Sequence, residues 1–224
     1  MSKLVKAKGN MYSWVTHCWN PIIGCPHQCT YCYVRKFREQ PKSLTLDTPF
    51  PDLGHGRKIF VGHLTDIFAY DVEASWIDMI IKHCFDFDNE YIFQSKNPNT
   101  IRNFPLPKTS LIGTTIETNN VDLLYQFSAA PSPVDRAIGL RDVKFHSGDE
   151  IVKTFITIEP IMDFDVVALT ELIQLAEPDF INIGADSKNH HLPEPSSEKV
   201  KLLITEIQRL GIEIRKKSNL QRIL

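Results

Sequence analysis

Apolar residues along the chain follow two alternating rhythms. Short, nearly continuous runs in "RKIFVGHL", "EYIFQS", "SLIGTTIE", "VKTFITIE" and "DFINIG" have the length and β-branched content of strands buried on both faces. Between them lie segments with helical spacing. "EASWIDMIIKHCFDF" puts Trp76, Ile77, Ile80, Ile81 and Cys84 on one face, "VVALTELIQLAE" repeats the pattern, and "SSEKVKLLITEIQRLG" opens with a serine cap and a nearby glutamate. Upstream, "YSWVTHCWN" reads as a first strand, followed by a cysteine-rich loop and a helix-like "YVRKFRE". A short helix is expected after Asn97-Pro98, and "IEIR" after Gly211 is a candidate last strand. The stretch "SAAPSPVDRAIGLRDVKFHSGDE" is less regular, with a turn signal at Pro131-Ser132-Pro133 and Ser132 placed to cap a helix. About six strands alternating with helices predict an α/β fold with a parallel sheet, either a whole or partial right-handed β/α barrel or an open doubly wound sheet.

The strand ends share a feature. The apolar runs are followed by the cysteine loop, Thr65-Asp66, Ser95-Lys96-Asn97, Glu117-Thr118-Asn119, Glu159-Pro160 and Asp186-Ser187-Lys188. In parallel α/β folds the C-terminal strand edge is where ligands bind, so these six endings are expected to converge on one face.

Composition narrows the class. A 224-residue chain that is 42% hydrophobic and 23% charged is expected to bury one core as a single domain over 1–224. A formal charge of -2 provides no global field for polyanions, which weakens a bulk DNA-binder reading without excluding a DNA-modifying enzyme. The start "MSKLVKAKGNMYSW" has no apolar signal region, and no run of about eighteen apolar residues occurs. Cytoplasmic residence without a membrane partner is the expectation. Five cysteines, three of them within eight residues, point in such a compartment to metal or redox chemistry rather than to disulfides.

Those three are Cys25, Cys29 and Cys32, in a loop over 20–33. Closed zinc and iron–sulfur sites take four protein ligands, so three thiols leave one ligand missing or one position open. A structural zinc site would recruit Cys18, His17 or His27, which would make the chain an interaction module; three metal-free buried thiols are the other alternative. Cys84 sits at core spacing on a helix and reads as a buried hydrophobe. His190-His191 lacks partners at ligand spacing and reads as an exposed loop.

The spacing Cys25-x3-Cys29-x2-Cys32, with Tyr31 before the third cysteine and Tyr33 after it, resembles the signature of the radical S-adenosylmethionine enzymes. In order along the chain, "SWVTHCWNPIIGC", "IFVGHLTDIFAYDV", "FQSKNP", "LIGTTIET", "FITIEPIMDF" and "FINIGADS" are similar to a phage-associated group within that superfamily, itself distantly similar to spore photoproduct lyase. The resemblance implies a partial (β/α)6 TIM-like barrel. It further implies that the three thiolates hold three irons of a 4Fe-4S cluster while S-adenosylmethionine chelates the fourth. Cleavage of the sulfonium then yields a 5′-deoxyadenosyl radical that abstracts a substrate hydrogen. Where the superfamily often carries Gly-Gly-Glu, this chain has "GHLTD", leaving Thr65 or Asp66 as candidates for the cofactor's ammonium.

Position in that fold assigns further expectations. Tyr31 belongs to the cofactor site, Thr115 and Glu117 lie near the ribose or methionyl part, and Asn182 and Gly184 lie near the adenine. Lys96 and Glu159 are expected in the barrel mouth, either paired with each other or contacting substrate. Cys18 is a candidate hydrogen donor or a packing residue. Arg35, Lys36 and Arg38, with Arg215, Lys216, Lys217 and Arg222 in the basic tail over 212–224, would line a phosphate-binding rim if the tail folds over the barrel; otherwise they decorate a solvated face and a frayed end. By analogy the substrate is a nucleobase or nucleic acid. An amino-acid-modified thymine in viral DNA, isomerised through a carbon radical, is the concrete version, with a lyase or repair reaction or a small metabolite as alternatives. An electron donor such as flavodoxin or ferredoxin would complete the system.

Overall fold

In the computed structural model, which describes residues 2–146 and 152–224, the apolar runs assemble into one eight-stranded sheet. The strands are β1 (Leu4–Lys6), β2 (His17–Trp19), β3 (Ile22–Ile23), β4 (Thr45–Leu46), β5 (Lys58–Val61), β6 (Glu90–Gln94), β7 (Ser110–Thr115), β8 (Lys153–Ile158), β9 (Phe180–Ile183) and β10 (Glu213–Lys216). The helices are α1 (Ala74–Phe85), α2 (Val121–Tyr125), α3 (Pro133–His146), α4 (Val166–Ala176) and α5 (Ser197–Arg209). Sheet order is β1-β2-β5-β6-β7-β8-β9-β10, parallel from β2 to β10, while β3 and β4 form a separate hairpin-like pair. The register runs through Val61↔Phe93, Phe93↔Ile112, Ile112↔Thr154 and Ile156↔Ile181. Six expected strands and the candidate seventh, β10, are present. Antiparallel β1, which extends the other edge, was not foreshadowed by the hydrophobic pattern.

Alternation along each strand divides the sheet into two faces. One face carries Trp19, Ile59, Val61, Tyr91, Phe93, Ile112, Ile156 and Ile181, all buried beneath the helices. Cys84 is among the buried residues of α1, as its spacing predicts. The other face carries Cys18, Phe60, Ile92, Phe155 and Phe180, and is filled by Tyr12, Trp14 and Val15 from the segment between β1 and β2. Tyr12 stacks on Trp14 at 5.1 Å, Phe155 stacks on Phe180 at 5.2 Å, and Trp14 meets Phe155 edge-on at 6.1 Å. Past the far edge, Lys217 Nζ donates to the Asn10 carbonyl at 2.5 Å and Arg215 lies 3.6 Å over the Phe180 ring. The N-terminal segment thus closes over the inner face of a partial barrel whose edge strands do not pair with each other.

Two local expectations are corrected. "YVRKFRE" forms only a 3-10 turn, Tyr33–Lys36. The irregular stretch contains the fourteen-residue α3. Its apolar face is interrupted by Arg136, which is fully buried, and by Gly139, a poor helix former, so the period is masked. Ser132 does cap it, accepting from Asp135 N–H at 3.1 Å while donating to the Asp135 carboxylate at 2.7 Å. Ser196 caps α5 in the same way, accepting from Lys199 N–H at 3.3 Å. Among the described residues no helix is long and apolar enough to cross a membrane.

Gly113, in the middle of β7, is explained by the inner face: a Cβ there would lie 2.2 Å from Phe155 Cζ. Gly113→Ala should therefore lower the free energy of unfolding by about 1–3 kcal/mol through overpacking. Combining it with Phe155→Leu should recover part of the loss relative to the sum of the single changes, as read by chemical denaturation.

Candidate functional site

The cysteine loop leaves the C-terminal end of β2 and is pinned before any metal is considered. Gln28 adopts a left-handed φ of 48° and donates to the Cys25 carbonyl at 2.6 Å, while Arg35 Nη2 donates to Gln28 Oε1 at 2.8 Å and Arg35 Nε to the Cys29 carbonyl at 3.2 Å. Backbone bonds Thr30 N–H to Phe127 O at 2.8 Å and Ala129 N–H to His27 O at 2.8 Å dock the loop on the segment after α2. His27, 1% exposed, meets Asp66 Oδ2 at 2.7 Å. The same oxygen accepts from Lys96 N–H at 2.7 Å, and Oδ1 accepts from Phe68 N–H at 3.0 Å. Burial opposes ionisation of Asp66, but His27, the Ser95 side chain and the Lys96 N–H prevail and hold its carboxyl below the usual range.

Two of the three thiols, Cys29 and Cys32, border an apolar cluster. Cys29 and Tyr31 pack with Met162 and Leu192, with Cys32, Leu123 and Phe127 at the margin. Burial pushes Cys25 up to about 12, assisted by the Asp66 charge and opposed by the Asp66 and His27 backbone N–H groups on its sulfur. Burial likewise raises Cys32, against N–H donors from Val34 and Arg35. Cys29 Sγ lies 3.1 Å from Ser128 Oγ and 3.4 Å from Lys96 Nζ. Hydrogen-bond donors aimed at sulfurs in a dry pocket are the surroundings that iron–sulfur thiolates use, so the residues fit such a cluster. Among the described residues no three His, Cys, Asp or Glu side chains converge to hold one metal ion. A cubane makes no such demand, because each thiolate takes a different iron. The candidate fourth zinc ligands are engaged elsewhere: Cys18 in the inner face, His17 with Thr16 Oγ1 at 3.0 Å, and His27 with Asp66.

Beside Cys29 lies a network centred on Glu117, which is 0% exposed. Its Oε1 accepts from Tyr31 OH at 2.6 Å and pairs with Lys96 Nζ; its Oε2 accepts from Arg136 Nη1 at 2.7 Å. Lys96 also donates to Tyr31 OH at 2.7 Å and sits 4.6 Å over its ring. Arg136, also 0% exposed, donates from Nη1 to the Thr115 carbonyl at 2.9 Å and from Nε to the Pro131 carbonyl at 2.7 Å. Burial alone would raise the Glu117 carboxyl, yet the Lys96 and Arg136 charges hold it far below its ordinary value. Lys96 is raised: burial works against its charge, but Cys29 and Glu117 outweigh it.

The remaining predicted site residues divide into three groups. Thr115 and Asn182 lie on the inner face in a neutral polar layer. Gln94 Nε2 donates to Thr115 Oγ1 at 2.8 Å, Asn182 Nδ2 to Thr157 Oγ1 at 3.4 Å, and Tyr12 OH bridges Thr157 at 2.5 Å and Gln94 at 2.8 Å. Thr65 and Asp66 are committed to the loop, Thr65 Oγ1 donating to the Ile22 carbonyl at 2.9 Å. Glu159 is not paired with Lys96. It accepts from Asn10 and Asn219, each at 2.8 Å, and pairs with Lys217 at 2.7 Å. Gly184 lies under it, where a Cβ would come within 2.8 Å of the Glu159 carboxylate, so here its close approach serves a side chain.

Other expectations are revised by contacts. His190 is not an exposed loop residue: Nδ1 meets Asp186 Oδ1 at 2.7 Å and its side chain is 12% exposed, while His191 is exposed. The tail is neither frayed nor a free basic rim. Arg215 pairs with Glu213 at 2.7 Å, Lys217 with Glu159 and Arg222 with Glu194, and Leu220 is buried. Arg136, Ser128, Tyr12 and the His27–Asp66 pair went unrecognised in the sequence. Only Arg136 left a signal there, a charge on the same helical face as the apolar Leu140 and Val143.

The depressed Glu117 carboxyl implies a sign for acid sensitivity. Its contribution to stability is fully present above the ordinary carboxyl value of 4.5 and is lost as pH falls through the lower folded value. Glu117→Gln should cost about 3–5 kcal/mol at neutral pH, because two buried cations lose their partner. Its urea midpoint should also fall less steeply than that of the unmodified chain as the pH drops below about 5.

No protein-family profile matches the chain, and neither does any curated protein sequence. Solved structures do. A mutant form of spore photoproduct lyase superposes with a TM-score of 0.66 at 10% identity, covering 95% of this chain and 80% of that one. A radical SAM methyltransferase from Sphaerobacter thermophilus gives 0.56 at 12% identity over 92% and 67%, and Streptococcus suis SuiB bound to S-adenosylmethionine gives 0.58 at 10% over 89% and 49%. The chain thus spans about half of SuiB and four fifths of the lyase chain. Its fold, a mostly parallel partial barrel, is therefore similar to the folds of spore photoproduct lyase and of a radical SAM methyltransferase.

Proposed function

We propose that the chain is a radical S-adenosylmethionine enzyme. The observation that carries this reading is the juxtaposition, on one end of the barrel, of the Cys25/Cys29/Cys32 loop with a sealed Lys96–Tyr31–Glu117–Arg136 network that touches Cys29. Cys25, Cys29 and Cys32 would hold a 4Fe-4S cluster. Together, the cluster and S-adenosylmethionine supply reductive cleavage of the sulfonium and a 5′-deoxyadenosyl radical that abstracts hydrogen.

The chain's own residues bind, orient and exclude water. Tyr31 and Thr115 are assigned to the ribose and methionyl part of the cofactor and Asn182 to the adenine, whereas Glu117, whose oxygens are taken by Tyr31, Lys96 and Arg136, and Gly184, which backs the Glu159 carboxylate, are assigned to holding the shape of the site. Thr65 and Asp66, whose side chains are spent on Ile22 O, His27 and backbone N–H groups, are assigned to shaping the loop rather than gripping the ammonium. Met162 and Leu192 pack with Cys29 and shield its sulfur from water. Lys96, 16% exposed, faces the mouth and is the candidate for substrate or cofactor contact, whereas Glu159 is held in a structural ion pair.

For substrate, a nucleobase is supported by the likeness to spore photoproduct lyase, one structure of which was solved with AdoMet and a dinucleoside spore photoproduct bound and matches with a TM-score of 0.58 at 13% identity. Isomerisation of an amino-acid-modified thymine in viral DNA is the specific reaction proposed, with lyase or repair chemistry on a nucleic acid as the second. The paired state of Arg215, Lys217 and Arg222 leaves little free positive charge at the tail, which favours recognition of the base over an extended phosphate track. The electron donor would be of the flavodoxin or ferredoxin class, in the cytoplasm.

Anaerobically reconstituted protein should be brown and release 5′-deoxyadenosine from S-adenosylmethionine with a low-potential reductant. Cys29→Ala should abolish colour and cleavage together; cleavage that survives this change, or a colourless zinc protein, overturns the proposal. Offered duplex DNA and free nucleosides in parallel, the active enzyme should change the mass of a nucleoside, and a change confined to one pool identifies the substrate form.

A further inference from the structure

Four buried or nearly buried groups beside Cys29 carry three formal charges. Glu117 and Arg136 are 0% exposed and Lys96 is 16% exposed, so two cations face one carboxylate and the set holds one excess positive charge in a largely buried site that opens only at Lys96. Arg136 touches neither a cysteine nor the mouth. Its bonds go to Glu117 Oε2, to the Thr115 carbonyl and to the Pro131 carbonyl, and its Nη2 is buried without a partner. An arginine sealed in this way carries a large desolvation cost that a neutral residue would avoid, so its charge calls for an explanation.

We propose that Arg136 is a positioning residue that acts through Glu117 on the cluster: it holds the carboxylate so that Lys96 and Tyr31 stay against Cys29, and it leaves a net positive charge there that sets the cluster's reduction potential. The inference rests on the proposed radical S-adenosylmethionine function. Its physics is Coulombic. A reduced cluster carries one more negative charge than an oxidised one, so nearby positive charge in a water-poor pocket favours reduction, as do hydrogen bonds to the sulfurs. The donor at 3.4 Å from Cys29 Sγ is Lys96 Nζ, and its orientation depends on Glu117. Glu117 in turn is fixed on its far oxygen by Arg136 at 2.7 Å.

Charge counting gives opposite signs to two changes at one ion pair. Glu117→Gln leaves two cations and should shift the potential to more positive values. Arg136→Gln leaves Lys96 balanced by Glu117 and should shift it to more negative values. The double variant restores one excess charge and should return toward the wild-type potential, as should the conservative Arg136→Lys. General damage to the fold cannot produce opposite shifts that cancel.

The test is an anaerobic reductive titration of the reconstituted protein without S-adenosylmethionine, followed by electron paramagnetic resonance, after iron, sulfide and visible absorption have established cluster content. Should a single variant fail to fold, the double variant removes the fully buried pair together and leaves only the partly exposed Lys96 without its carboxylate, and adding Lys96→Gln to it removes the last charge; the potential should then move negative relative to the double variant. Intact clusters with one common potential throughout overturn this inference and leave the radical chemistry standing. A wild-type chain that binds no cluster overturns both.

Discussion

A carboxylate without access to water must be neutralised where it stands, and Glu117 does this with groups drawn from three other parts of the chain. Tyr31 comes from the cysteine loop, Lys96 from the end of β6, Arg136 from α3, and Glu117 itself from the residues just after β7. Its backbone carbonyl also accepts from Met162 N–H at 2.9 Å, which draws in the segment after β8. Because each partner is also held by others, the carboxylate acts as a tie between the sheet edge, the helix layer and the loop. Removing it would strand two cations, a cost larger than one neutral hydrogen bond can offset.

The inner face beneath this tie is layered. Tyr12, Trp14, Phe60, Phe155 and Phe180 form an aromatic floor, and over it Gln94, Thr115, Thr157 and Asn182 form a neutral polar stratum, with Tyr12 OH as the link between them. The charged groups and thiols come last, at the C-terminal strand ends. Such an order puts dispersion and apolar burial where no ligand is needed, and polar groups where a base or a ribose could be read. It also explains why an N-terminal segment is used as a plug: an incompletely closed barrel has an inner face that the helices cannot cover.

What the sequence made legible was whatever repeats. Strands β5 to β9 are short, nearly continuous apolar runs, and α1, α4 and α5 keep their period, so all of these could be read directly. Cys25, Cys29 and Cys32 were legible as a group because three thiols at close local spacing need no tertiary information. Helix α3 was hidden because Arg136 occupies a core position, a choice that makes sense only once Glu117 is known to lie opposite. Pairings over long separations were equally invisible. Lys96 was matched with Glu159 on shared position at strand ends, but β7 is the immediate neighbour of β6 and delivers Glu117 first, while Glu159 meets the tail lysine, Lys217. The basic tail misled for a related reason: counting its cations says nothing about the acids they fold against.

The "GHLTD" departure makes the same point about tertiary partners. An acid does stand in this segment, but Asp66 is turned toward His27 in the cysteine loop and the backbone N–H of Lys96. It therefore couples the end of β5 to the loop and to the end of β6, next to the lysine that contacts Cys29. Two buried acids, Asp66 and Glu117, thus hold opposite sides of one residue: Asp66 fixes the backbone of Lys96 and Glu117 fixes its ammonium. A flexible four-carbon side chain anchored at both ends loses most of its freedom before any ligand arrives, so its ammonium is held in place beside the Cys29 sulfur.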